Sequence, residues 1–205
     1  MPLFLVVLLG VFANTQDRGA LVYILTGNMV IGLLFGTMTR IIQRVEFLRF
    51  GGGLDFFATL PVQRFLFVFA MVASFLVFSL PSLALTLTVG ALWLQLPLAL
   101  HPLLLLVIPL CTIPLAGVGV LLGLIGRNWG EASSWGFVVS LLFSVLGPVM
   151  IPPDRLPAIL ILLGRLSPAT YAASALRQVV MGPVTGQLLI DLTMLSGMSA
   201  LLLWV

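Results

Sequence analysis

From Phe65 to Gly126 the chain reads FLFVFAMVASFLVFSLPSLALTLTVGALWLQLPLALHPLLLLVIPLCTIPLAGVGVLLGLIG, without one Asp, Glu or Arg. The hydrocarbon core of a bilayer, about 30 Å thick, takes about 20 apolar residues of helix, so this run holds two membrane spans and a turn. Pro97 and His101-Pro102 mark the turn, because proline removes a backbone donor and breaks helices. Outward from it, Gly19 to Thr39 and Ala132 to Pro153 are each one span long and carry no formal charge. Met1 to Gln16 reads as a short span and not as a removable signal peptide, since it has no basic n-region and no clear small-residue cleavage site. Val184 to Val205 is apolar except at Asp191. The sequence therefore predicts an all-α membrane protein, a six-span helical bundle with spans near 2–14, 19–39, 66–92, 103–125, 133–151 and 186–205. Residues 1–205 read as a single transmembrane domain. The short first span and the lack of a polar tail after Val205 read as clipped ends.

Composition points the same way. Hydrophobic residues make up 61% of the chain and charged ones 7%, with a mean hydropathy of +1.26. A soluble domain carries about 25% charged residues, and a globule of this size would leave too much apolar surface in water. All nine basic residues are Arg. Without Lys there is no Walker A loop, no Schiff-base chemistry and no Ser–Lys dyad, so ATP hydrolysis, if it drives this protein, belongs to another subunit. The pI near 10 reflects scarcity of charge and gives no case for nucleic-acid binding. The single Cys111 and single His101 leave no disulfide, CxxC, zinc or haem set, and no cofactor is expected.

Six spans put both termini on one side. Arg40, Arg44, Arg49 and Arg64 share the 40–65 connection and Arg127 lies in 126–131, against Arg18, Arg155, Arg165 and Arg177 on the other side. The 40–65 connection is short and dense with Arg, so the positive-inside rule places it, the 126–131 connection and both termini in the cytoplasm.

Two connections carry more than topology. In 40–65, Gly51 to Gly53 end an extension of the second span. A brief amphipathic helix follows, with Asp55 in its first turn, with Leu54, Phe57, Ala58 and Leu60 at helical spacing, and with Pro61 as its stop. It reads either as an interfacial helix on lipid headgroups or as a knob that enters a groove on a partner protein. The outer connection, Gly147 to Gly186, holds two short stretches near 156–166 and 168–181, parted by Ser167-Pro168, a sound helix start. Tyr171, Ala175 and Val179 fall on one side of the second, with Arg177 and Gln178 off it. Too short to span and too apolar for a solvated loop, these stretches are expected to dip into the outer leaflet or lie on it.

Gly53-Leu54-Asp55 … Leu60-Pro61-Val62-Gln63-Arg64 is similar to the coupling-helix segment of type-2 ATP-binding-cassette (ABC) exporters. Pro152-Pro153-Asp154-Arg155-Leu156-Pro157 … Leu166-Ser167-Pro168-Ala169-Thr170-Tyr171 … Leu176-Arg177 … Gly182 looks like the family's outer re-entrant segment. With six spans in the right order, the chain resembles the membrane (permease) subunit of that family, which includes drug-resistance and polysaccharide or lipid export permeases. The resemblance implies a plasma (bacterial inner) membrane location, a second permease subunit, identical or different, and a separate ABC ATPase subunit. Gly53, Leu54, Asp55, Phe57, Leu60, Pro61 and Arg64 would form the docking element. Its apolar side chains would fill the partner's groove, Pro61 would end the helix, and Arg64 would reach a partner carboxylate. Glu46 would cap or pair within the same interface. The resemblance also implies an amphipathic helix along the inner membrane surface ahead of the first span, and none is read in this sequence.

Other residues carry weaker signals. An acid inside a span is a functional candidate by default. Asp191 lies near the outer end of the last span, so it is either supported by water and the helix N-terminus or a proton or substrate contact. Glu131 and Arg127 read as a surface pair or as a second ATPase contact. Gly197-Met198-Ser199-Ala200 matches a rhomboid nucleophile motif in outline, but His101 is far away on a connection. Gly32/Gly36 and Gly119/Gly123 are GxxxG pairs of the kind found at helix interfaces. The competing reading of the whole is a non-transporting membrane scaffold or a degenerate permease paralogue.

Overall fold

A computed structural model of the chain describes residues 18–53, 59, 64–94, 101–149, 151, 153 and 156–204. Among these, the regular structure is helical throughout. Helix α1 is continuous, α-helical over Arg18–Leu33 and Thr39–Phe50 with a π-helical turn at Leu34–Met38 between. Then come α2 (Arg64–Leu94), α3 (Leu104–Ile125), α4 (Glu131–Val145), α5 (Ala158–Gly164), α6 (Pro168–Met181) and α7 (Gly186–Trp204). Leu21–Phe50, Phe69–Val89 and Leu104–Ile125 are each long and apolar enough to cross a membrane. The α5–α6 pair qualifies as one segment bent by 91°, while α4 and Gly186–Leu202 are shorter apolar helices. The span expected at 2–14 lies outside the described residues, as do 54–58 and 60–63 of the expected coupling helix.

The chain's punctuation explains where these helices end. At the end of α1, the Gly51 N–H donates to the Phe47 carbonyl at 2.9 Å and Gly52 takes a φ of +75°, a left-handed step that suits glycine. Pro81 in α2 and Pro109 and Pro114 in α3 are absorbed without ending either helix, and the Thr112 hydroxyl donates to the Ile108 and Pro109 carbonyls between the two α3 prolines. The span expected at 133–151 is shorter in the structure. Helix α4 stops at Val145 because Leu146 turns to extended backbone, Gly147 adopts a φ of +86°, and Pro148 disfavours helix in the residue before it.

The core lies around α6, which packs against α1, α3, α4 and α7. Ala169, Ala172, Ala173, Ala175, Leu176, Val179 and Val180 are all buried. Small alanines on most faces let a helix too short to span sit in the middle of the bundle. The helix starts at Ser167-Pro168, as the sequence predicts, and the 91° bend between α5 and α6 is the geometry of a broken span or a re-entrant segment. The Ser167 hydroxyl makes no capping bond; the turn is closed by the Thr170 N–H donating to the Ser167 carbonyl at 3.2 Å.

Glycine sets the closest helix approach. A Cβ on Gly119 would lie 3.0 Å from the Met38 carbonyl oxygen, and one on Gly123 would lie 2.8 Å from the Val45 Cβ. This GxxxG pair therefore joins α3 to α1 within the chain. A Cβ on Gly36, by contrast, would meet nothing within 4 Å. Gly119→Ala, pressed against backbone, is expected to lower stability by about 1–3 kcal/mol. Gly36→Ala is expected to leave it unchanged or raise it by up to about 1 kcal/mol. Thermal unfolding of the two variants in one detergent checks the contrast.

Candidate functional site

Two charged residues near the end of α1 hold the connection between α3 and α4. Glu46 is 3% exposed. Its carboxylate accepts from the Ala132 N–H at 2.9 Å, the Ser133 N–H at 3.3 Å and the Ser133 hydroxyl at 2.6 Å. These N–H groups belong to the first turn of α4, where a helix has no donors' partners of its own and favours negative charge. Three residues on, Arg49 donates to the Leu124 carbonyl and, at 2.6 Å, to the Gly126 carbonyl. These are acceptors at the C-terminal end of α3, where a helix favours positive charge. One face of α1 thus supplies an acid to one helix end and a base to the other.

The loop between those ends is held as well. Gly130 takes a φ of +87° to start α4. The Glu131 carboxylate accepts from the Arg127 N–H at 2.8 Å and the Asn128 N–H at 3.3 Å. The pair that the sequence reads between the Glu131 and Arg127 side chains is here a carboxylate closing its own loop. Trp129 lies with its ring centroid 6.2 Å from those of both Phe47 and Phe50, and Arg44 and Arg49 sit over the Phe47 and Phe50 rings.

At the opposite end of the bundle a second polar group centres on α6. The Arg177 guanidinium lies over the Tyr23 ring, 3.5 Å from its centroid, and donates to the Thr26 hydroxyl at 3.3 Å and the Val149 carbonyl at 3.2 Å. It therefore ties α6 to α1 and to the segment after α4. Asp191, 1% exposed, accepts from the Ser174 hydroxyl at 2.5 Å and the Gln178 amide at 3.1 Å. The Gln178 carbonyl oxygen in turn accepts from the Thr185 N–H at 3.2 Å and hydroxyl at 2.8 Å. The Asp191 carboxylate is thus held by side chains of α6 and, through Gln187, by the first turn of its own helix.

A model of the ABC-2 type transporter family matches residues 1–181. The chain belongs to that family. Comparison with the curated proteins and with the solved structures finds no match. As an ABC-2 type permease, the chain is a multi-pass membrane protein whose helices carry these two polar groups. Of the residues that the sequence singles out in the permease, Gly53 lies just past α1, after Gly51 and Gly52, and Arg64 opens α2. Leu54, Asp55, Phe57, Leu60 and Pro61 lie outside the described residues. Glu46 turns its carboxylate into the chain and onto α4. Sequence reasoning did not single out Arg49, Ser133, Ser174 or Gln178. The available signal was the scarcity of charge: with 7% charged residues, each charge beside an apolar helix needs a partner.

Removing the Glu46 carboxylate leaves buried N–H groups of α4 without acceptors. Glu46→Ala is expected to destabilise the permease by about 1–3 kcal/mol. The Ser133→Ala substitution should cost much less in the Glu46→Ala background than in the wild type. A double-mutant cycle on thermal unfolding measures this coupling.

Proposed function

We propose that this permease is the transmembrane subunit of an ATP-driven exporter, pairing with a second permease subunit to form the pathway and docking on a separate ATPase through residues 53–64. In this reading the chain crosses a bacterial inner membrane six times, with both termini and the 40–65 and 126–131 connections in the cytoplasm. ATP is hydrolysed on the partner. Leu54, Phe57 and Leu60 enter the ATPase groove, Asp55 opens the short helix, Pro61 ends it, and Arg64 meets a carboxylate of the ATPase.

Glu46 then acts as a positioning residue inside the permease. The observation that carries the reading, beside family membership, is the grip of Glu46 and Arg49 on the ends of α4 and α3. The segment 53–64 is joined to α1 through Gly51 and Gly52 alone, so a push on it reaches α1 first. Because α1 holds the 126–131 connection by two charged contacts and an aromatic stack, the push passes to α3 and α4 as a rigid displacement. Asp191 joins the last span to α6 through Ser174 and Gln178, which keeps the opposite end together while the ATPase end moves.

The test is a mild-detergent pull-down of the tagged chain from its native membrane, beside a transport assay in the same cells. One ATPase copy per permease, lost in Phe57→Asp/Leu60→Asp together with transport, is the expected result. Transport that survives that double substitution contradicts docking through this segment. Glu46→Ala/Arg49→Ala is expected to retain the ATPase but lose transport, because it cuts the relay and leaves the docking side chains intact.

A further inference from the structure

Between α1 and α2 runs a narrow slot that the coupling relay does not use. Gly32, Gly36 and Arg40 line it from α1 and Ser79, Ser82 and Thr86 from α2. Both sets recur at helical spacing, so each helix turns one polar or small face toward the other. Ser79 and Thr86 are 8% and 2% exposed and donate to their own helix, to the Leu76 and Ser82 carbonyls. Their oxygens remain acceptors. The Ser82 hydroxyl has no hydrogen bond among the described residues and is free to donate. Gly36 sits in the π-helical turn, and the space beside its Cα is open.

The slot holds a cation and no anion. Arg40 has no ion pair, hydrogen bond or ring contact among the described residues, whereas Arg44 and Arg49 are stacked on Phe47 and Phe50 and Arg177 on Tyr23. The described carboxylates are all engaged elsewhere: Glu46 on α4, Glu131 on its own loop, Asp191 on α6. Arg40 follows directly on the charge-free stretch Gly19 to Thr39, about 15 Å along the helix from Phe50 at 1.5 Å per residue. Arg40 is exposed and lines the slot beside Gly36, and side chains on a helix lean toward its N-terminus, here the side of the apolar layer. A cation there is costly unless an anion meets it, and the guanidinium fork fits a phosphate with two parallel hydrogen bonds.

We propose that the slot binds an anionic phospholipid, its phosphate held by Arg40 and the Ser82 hydroxyl at the boundary of the apolar layer and one acyl chain lying past Gly36 and Gly32. Ser79, on the Arg64 side of Ser82 along α2, offers an acceptor to a headgroup hydroxyl of the same molecule. The site is independent of ATPase docking, since none of these residues belongs to 53–64 or to the grip on α3 and α4.

Native mass spectrometry of the purified full chain tests it, with added dioleoylphosphatidylglycerol, dioleoylphosphatidylcholine or inorganic phosphate. Wild type is expected to retain the anionic lipid in preference to the zwitterionic one. Arg40→Gln should weaken that retention about tenfold or more, the loss of a charged hydrogen-bonding partner. Arg44→Gln, the same change in charge one turn away, should leave it unchanged. Gly36→Leu, which fills open space and keeps the charge, should also reduce it, and gel filtration with circular dichroism confirms that each variant is folded. Lipid that stays bound against millimolar inorganic phosphate identifies a lipid headgroup. Displacement by inorganic phosphate overturns the lipid assignment in favour of a free phosphate at the same guanidinium. Equal retention by wild type and folded Arg40→Gln, or no preference for the anionic lipid, overturns the site altogether.

Discussion

A carboxylate taken out of water needs donors around it, and Glu46 finds three of them on the first turn of α4. The neighbouring features of this end of the bundle depend on that contact. It fixes how α4 meets α1, and with Arg49 on the carbonyls of α3 it fixes both ends of the 126–131 connection from one side of one helix. The geometry requires α3 to lie close to α1, which Gly119 and Gly123 allow by leaving room for Met38 and Val45. It also requires α1 to continue well past its apolar part, and the helix does run unbroken to Phe50. A π-helical turn at Leu34–Met38 rotates the later part of α1 relative to the earlier part, so the face that packs on α3 and the face that carries Glu46 need not follow a single 3.6-residue period.

The opposite end is built on a different solution to the same problem. Helix α6 is too short to span and is surrounded by protein, so its polar side chains must be satisfied inside the bundle. Arg177 reaches α1 and the segment after α4, while Ser174 and Gln178 reach Asp191 on α7. The His101 N–H donates to the Val179 carbonyl at 3.1 Å, tying the start of α3 to the same helix. Ser174 to Val179 of α6 thus connect four other elements.

Much of this architecture was legible in the sequence because apolar length and helix breakers are local signals. The long charge-free run predicted α2 and α3, Gly51 to Gly53 predicted the end of α1, and Ser167-Pro168 predicted the start of α6. Spatial partners were less legible. Glu46 and Ser133 are far apart in sequence, and nothing near Glu46 says that it faces α4. Arg49 was read as loop charge for orienting the chain, although its hydrogen bonds are with α3. The neighbours of α6 are not legible, because its alanines and valines give no clear apolar stripe that names the helices packed on each face. Asp191 was picked out by its charge, but its partners Ser174 and Gln178 are polar residues of ordinary kinds.

Hydrogen exchange at the backbone of 127–134 tests the Glu46 contact most directly, by comparing wild type with Glu46→Ala in the same detergent. If the carboxylate holds α4, the Ala132 and Ser133 amides are strongly protected in the wild type. In the variant they exchange about tenfold faster or more, the loss of a charged hydrogen bond, while the α6 amides keep their protection. Equal exchange of these two amides in both proteins would contradict the account, because it would mean that the start of α4 is held without Glu46.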